Sequence, residues 1–373
     1  MKKVLFVIPE YSFGGTNKSL ENLLVLLDNQ KYDISVYCLY EDGGEYYKKV
    51  FAPYILKKSR MYYWLHDNFY SRKIMGLVNK IMKRDNFTFL YKYEARYLQK
   101  KYGFDVVVAY QEGKTTEFGT YFHDVKRIAW VQCDYPQLVG KVRYETDKAH
   151  YEVYDRIVCV SDYTASSFQS FFNLKGEKVV GIHNTLDSKR LKVMADEECS
   201  EYDRSFFNVV SIGRLHEEKQ FEKIPQIVSQ IQTSKPFRWY IIGSGPDESL
   251  IREEIEKFQL QKKVFLLGMT DNPYPYIKNA DLVAMTSRTE SFSYVIAEAK
   301  FLHVPVLSTD FPVAYEVLDE SCGWIVSLQD FPFLMNRIIE NEDGMYNKKR
   351  ALSEYYQYSN QAILEQIDNL FLA

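Results

Sequence analysis

Short apolar runs alternate with stretches of helical periodicity along the whole chain. In the first half the runs cover 4–8, 34–39, 106–109, 128–131, 157–160 and 179–182, with helical patterns between them, for example over 20–27 and 164–171. The second half repeats the rhythm at 209–212, 239–242, 264–267, 282–285, 304–307 and 324–326. Continuous apolar runs of this length suit strands buried on both faces, and strands separated by helices predict parallel α/β sheets. Two such series predict two Rossmann-like domains, over 1–187 and 205–345. Between them 188–204 is polar, lacks alternation and carries the acidic cluster Asp196-Glu197-Glu198, so it reads as an interdomain segment. From Met345 the pattern is helical to the end.

Composition sharpens this picture. A length of 373 residues fits two domains, and 46% hydrophobic against 26% charged residues supports full cores rather than disorder. A net charge of −3 is too balanced for a nucleic-acid binder, and no nucleic-acid-binding motif occurs. The five cysteines form no CxxC pair and their number is odd, which argues against structural zinc and against a disulfide framework. The opening run after Lys2-Lys3 is only five residues long before Pro9, too short for a signal segment and better read as a buried strand. No stretch approaches the roughly 20 apolar residues of a membrane span, so the expected location is the cytosol.

Two segments carry candidate chemistry. Gly213-Arg214-Leu215-His216-Glu217-Glu218-Lys219 directly follows the 209–212 run. At the carboxyl edge of a parallel sheet, an Arg able to grip bidentately and a Lys acting as a point charge suit a diphosphate. Alone, the segment fits a solvated basic loop equally well. The second is Glu290-Ser291-Phe292-Ser293-Tyr294-Val295-Ile296-Ala297-Glu298, after the 282–285 run. Ser291 and Ser293 fall where a helix should begin, and free amides there make an anion site. Glu290 could accept from sugar hydroxyls and Glu298 could reach a ribose; alone, the pair fits a cap and an ordinary helix glutamate equally well.

Together and in order, the two segments resemble glycosyltransferase family 4, retaining enzymes of the GT-B fold, whose hallmark is a G-R-L-x-x-x-K stretch followed by an E-x7-E element. Ile241-Ile242-Gly243-Ser244-Gly245-Pro246, the 264–268 strand ending in Gly268, Ala280-Asp281-Leu282 and Val304-Pro305-Val306 also fit. So do Gly14-Gly15 and Ile182-His183-Asn184-Thr185 in the first half. The resemblance covers roughly 205–330 strongly and the preceding half more weakly. It implies two domains facing across a cleft, with residues 346–373 packing back on the N-terminal domain. It implies a nucleotide-diphosphate-sugar donor and a glycan or lipid-linked acceptor, in a bacterial surface polysaccharide pathway. Arg214 and Lys219 would hold the diphosphate, with the amides around Ser291, Phe292 and Ser293. Gly213, Gly268, Gly14 and Gly15 would lie along the donor, Glu290 at the transferred sugar and Glu298 at the ribose. No cofactor and no metal is expected: Asp-x-Asp occurs nowhere, and no histidine has metal-ligand spacing.

Three departures stand out. Ser291 and Ser293 occupy places where relatives often have Gly, uncomfortable if positive φ is required. Gln132, in Trp130-Val131-Gln132-Cys133-Asp134, stands where a His is expected and cannot exchange a proton near neutral pH; Gln132 and Asp134 are the acceptor-side candidates. His303 replaces a frequent Gly and reads as a packing residue.

The stretch 57–101 holds twelve basic residues and three acidic ones, a net +9 within a chain of −3, with ten aromatics interleaved. Basic helices with aromatics suit the anionic inner face of the cell membrane; equally, the aromatics could be core and the charges its solvated face. Two other functions share the architecture: a GT-B epimerase, which would need acid/base groups in its cleft, and a non-catalytic sugar-nucleotide-binding protein, which Gln132 favours.

Overall fold

The computed structural model describes every residue except Phe13, 68–86, Lys175, 342–343, 356–358 and Ala373. The chain forms two compact units, Met1–Thr185 with Gln361–Ala373, and Leu186–Asn360. Each is built on a six-stranded sheet, and each of the twelve apolar runs is one of its strands.

In the first unit β1 (Lys2–Ile8), β2 (Tyr32–Cys38), β3 (Val106–Ala109), β4 (Lys126–Val131), β5 (Arg156–Cys159) and β6 (Val179–Gly181) lie in the order β2-β1-β3-β4-β5-β6, all parallel. The opening run is therefore an interior strand, and Val4 to Ile8 are fully buried. Much of the aromatic excess is spent in packing. Tyr37 stacks on Phe118 with centroids 5.4 Å apart. Tyr135, Tyr151, Phe168 and Phe172 interlock beneath β4 and β5. The helix Phe87–Tyr102 is divided lengthwise: Leu90, Tyr91, Glu94, Ala95 and Leu98 are buried, while Phe89, Lys92, Tyr93, Arg96 and Lys100 are exposed. The carboxylate of Glu94 accepts from the Tyr37 hydroxyl (3.0 Å), the Ser59 amide (2.9 Å) and the Ser59 hydroxyl, which satisfies an otherwise costly buried charge.

In the second unit β7 (Phe207–Ile212), β8 (Phe237–Ile242), β9 (Val264–Gly268), β10 (Leu282–Met285), β11 (Val306–Thr309) and β12 (Gly323–Val326) run in the order β12-β11-β10-β7-β8-β9. This is the doubly wound dinucleotide-fold order, with its reversal point between β7 and β10; in the first unit the reversal lies between β1 and β3.

Two boundaries differ from those read in the sequence. The polar stretch 188–204 contains the helix Ser188–Ala195 and lies in the second unit. The terminal segment is two helices, not one. Met345 joins the second unit's core, and Met345–Tyr355 belongs there. Nearly all of Asn360–Leu372 belongs to the first unit. Its Phe371 is fully buried, edge-on to Tyr32 at 5.5 Å and Phe6 at 6.2 Å. Asp368 accepts from Lys31 and from the Tyr32 hydroxyl, both at 2.6 Å, and those bonds hold its carboxyl below the ordinary range despite partial burial. Phe371→Ala should cost about 3–5 kcal/mol, the usual effect of emptying an aromatic core position, whereas Leu372→Ala, half exposed, should change stability by under about 0.5 kcal/mol; urea unfolding of the two variants checks this.

Candidate functional site

The reversal point of the second unit collects both motif segments. β10 pairs with β7 through Leu282 with Val209 and Val283 with Val210, so the turns after the two strands leave the sheet side by side. The Lys219 ammonium forms an ion pair with Glu290 Oε1, although 71 positions separate them. The Ser287 hydroxyl donates to the same oxygen at 2.8 Å. The Thr286 hydroxyl donates to the Lys219 carbonyl at 2.7 Å, and the Arg288 amide to Glu218 at 2.7 Å. Among the described residues both hydrogen bonds of Glu290 fall on Oε1, leaving Oε2 for another donor. Arg214 is exposed and has no ion-pair partner among the described residues.

The neighbouring turn after β8 is laced to the first motif by backbone. Gly213 N–H donates to Ile242 (3.0 Å), Leu215 to Ser244 (3.0 Å) and Asp247 to Leu215 (3.1 Å). A Cβ on Gly243, whose φ is +152°, would lie 1.8 Å from the Gly213 carbonyl oxygen, and one on Gly245 would lie 2.2 Å from that of Leu215. At Gly213 a Cβ would merely touch the Lys219 stem at 3.4 Å. The Gly268 carbonyl accepts from Gly243 at 2.8 Å, and Gly268 itself sits at φ +79° with open space where a Cβ would be.

The Ser291–Ser293 stretch leads into the helix Tyr294–Phe301. Phe292 and Glu298 are buried, Ser291 is half-buried, and Ser293 takes the left-handed conformation (φ +66°). His303 is not the packing residue read from the sequence. It is exposed, at φ +61° just past this helix, with its amide bonded to the Lys300 carbonyl: a C-terminal cap position, which explains why Gly would suit it.

In the first unit Gly14 and Gly15 enter the helix Gly15–Leu26. Gly14 is extended, a conformation any residue adopts, and a Cβ at either glycine would meet nothing within 4 Å. Gln132, at the end of β4, is half-buried; its amide N–H donates to Glu112 at 3.0 Å and its side-chain amide reaches Ser19 Oγ at 3.4 Å, which pairs with the Tyr110 hydroxyl at 2.8 Å. Asp134 is only 1% exposed, and burial pushes its carboxyl above the ordinary range. Of the two acceptor-side candidates, Gln132 alone is accessible. Sequence reading missed Thr286 and Ser287, which hold the ion pair, and the Ser19–Tyr110 contact behind Gln132; small polar residues directly after an apolar run were the available signal for the first two. A separate hollow of about 710 Å³, lined by Phe206, Lys235, Phe237, Arg238 and Lys263, opens at the opposite edge of the second sheet and holds none of the motif residues.

Residues 207–341 match the sequence family Glycosyl transferases group 1. The amylovoran biosynthesis glycosyltransferase AmsD of Erwinia amylovora is 23% identical over 365 residues, 94% of each chain. The N-acetylgalactosamine-N,N'-diacetylbacillosaminyl-diphospho-undecaprenol 4-alpha-N-acetylgalactosaminyltransferase of Campylobacter jejuni is 24% identical over 185 residues, 49% of this chain and 46% of that one. The chain thus spans about half the length of the Campylobacter relative and nearly all of AmsD. Among solved structures, Anabaena HepE in complex with UDP and glucose superposes with a TM-score of 0.75 over 100% of both chains at 15% identity. Fold and family match agree: the chain has the two-domain GT-B fold, and its glycosyl transferases group 1 segment lies in the second unit.

The Gly213–Gly243 contact sets a test. Gly243→Ala should destabilise the second unit by about 2–4 kcal/mol, through overpacking against backbone and strain at positive φ, while Gly140→Ala, at positive φ in open space, should cost clearly less; thermal unfolding of the two variants distinguishes them.

Proposed function

We propose that this enzyme is a retaining, metal-independent transferase of glycosyltransferase family 4. It moves a sugar from a nucleotide-diphosphate sugar to a lipid-linked glycan, in the cytoplasm at the inner face of a bacterial membrane, for a surface polysaccharide. The observation that carries the reading is the Lys219–Glu290 pair at the sheet's reversal point. It brings a cation for the diphosphate and a carboxylate for the sugar to one place. UDP in HepE, and the diphospho-undecaprenol in the Campylobacter relative's name, support the donor and acceptor classes.

In this reading Arg214 grips the diphosphate bidentately and Lys219 contributes its remaining N–H donors, with the amides of Ser291 to Ser293 beside them. Glu290 Oε2 accepts from a sugar hydroxyl, and Glu298 contacts the ribose. The bond from the anomeric carbon to phosphate oxygen breaks as the acceptor oxygen bonds on the same face. The acceptor proton passes to the departing phosphate, and the negative charge developing there is stabilised by Arg214, Lys219 and the helix N-terminus, groups that take the place of a metal ion. Gln132 serves as a hydrogen-bonding group rather than a proton carrier.

The first unit supports membrane docking on its exposed residues. Phe89, Lys92, Tyr93, Arg96 and Lys100 share one face of their helix, and Tyr63 and Trp64 are exposed nearby in sequence. Tyr62 and Tyr91 are core, and the Lys58 ammonium is occupied by the Leu39 carbonyl at 2.8 Å, so these three take no part. Arg72, Lys73, Lys80, Lys83 and Arg84 lie outside the described residues. No helix of the described residues is long and apolar enough to cross a membrane.

A panel of nucleotide sugars, assayed for transfer and hydrolysis, tests the function; complete inactivity with tight nucleotide-sugar binding would favour a non-catalytic binder. Arg214→Ala and Lys219→Ala should each weaken donor binding about ten- to a hundredfold, the loss of one charge-assisted contact, and a chelator should leave activity unchanged. For docking, co-sedimentation with liposomes should require anionic lipid and weaken at high salt. Replacing Lys92, Arg96 and Lys100 with Glu should remove about 1 kcal/mol of attraction per residue or more.

A further inference from the structure

We propose that the Ser293 hydroxyl is itself a ligand of the donor phosphates, a side-chain contact added to the backbone amides of its helix; this rests on the reading of the site as a nucleotide-diphosphate pocket. Ser293 is the residue preceding the helix Tyr294–Phe301, where a serine hydroxyl ordinarily accepts from an amide in the first turn. Ser161 does so in this same chain: extended at φ −157°, it accepts from the Thr164 amide in a reciprocal capping box. Ser293 does not. At φ +66° and ψ +82° its side chain makes no cap hydrogen bond.

The hydroxyl is also buried. Ser293 is 7% exposed, and its Oγ has no hydrogen-bond partner among the described residues. A left-handed serine and an orphaned buried hydroxyl are each unfavourable, and glycine would remove both costs. Such costs persist where binding uses them. The surroundings define what the hydroxyl meets: the N-terminus of its own helix, and the Lys219–Glu290 pair, whose Glu290 lies three residues earlier in the same loop. A hydroxyl donor beside a positive helix end fits a phosphate oxygen.

The expected behaviour separates this role from a merely structural one. Ser293→Ala removes the hydroxyl and keeps the backbone demand; Ser293→Gly removes both. In the ligand-free protein neither should lower the thermal midpoint, because each deletes an unpaired buried group. In calorimetric titrations with UDP and with inorganic pyrophosphate, both should bind about tenfold more weakly than wild type. A residue that only shapes the loop would give the opposite for Ser293→Gly, equal or tighter binding. Unchanged affinity in Ser293→Ala, with wild type binding normally, overturns the contact and leaves the site standing. Failure of the wild type to bind UDP, GDP, ADP or pyrophosphate overturns both.

Discussion

The site depends on one constraint, the parallel pairing of β10 against β7. In a parallel sheet adjacent strands deliver their following turns to the same edge, and at the reversal point no crossover helix separates those turns. Residues about 70 positions apart are thereby brought within reach of one hydrogen bond. The backbone contact of Gly243 with Gly213 fixes the first turn from the other side. Lys219 is thus confined from two directions: its carbonyl is held by Thr286, and its ammonium by Glu290. On the proposed reading, preorganising a cation in this way lowers the ordering cost of gripping a diphosphate.

The strands were legible because parallel strands buried on both faces leave continuous apolar runs, and Val4–Ile8 or Val106–Ala109 admit little else. Lys219 and Glu290 were legible as residue types at a spacing, but their ion pair was not. It depends on a strand order that periodicity does not encode. The need for glycine at 243 was hidden for the same reason, since the atom it avoids belongs to a different turn. Ser293 and His303 show a third limit. Both occupy left-handed positions that serine and histidine do not themselves announce; only the glycine frequent there in the resembling family raised positive φ for Ser293, and His303 was read as packing.

The basic aromatic stretch illustrates why composition alone left two readings open. One helix carries residues of both kinds. Tyr91 and Glu94 face inward among the core and its buried hydrogen bonds, while Tyr93 and Arg96 face out. A count of aromatics cannot separate the two sets, because the division follows the 3.6-residue turn and not the sequence interval. The buried Glu94 carboxylate, tied to Tyr37 and Ser59, fixes which face is which.

The division of the chain into units also bears on how the protein is made. The second unit is contiguous, Leu186–Asn360, and it interrupts the first, which is completed only by Gln361–Ala373. During translation at about 5–20 residues per second, some 10–35 s pass between synthesis of Thr185 and of the segment that covers Phe6 and Tyr32. The nascent first unit spends that interval with Phe6 and Tyr32 lacking their Phe371 partner, while the unit encoded after it has all its residues. Order of synthesis and order of completion are therefore reversed in this chain, and the last helix acts as the latch that ends the period of exposure to chaperones and to self-association.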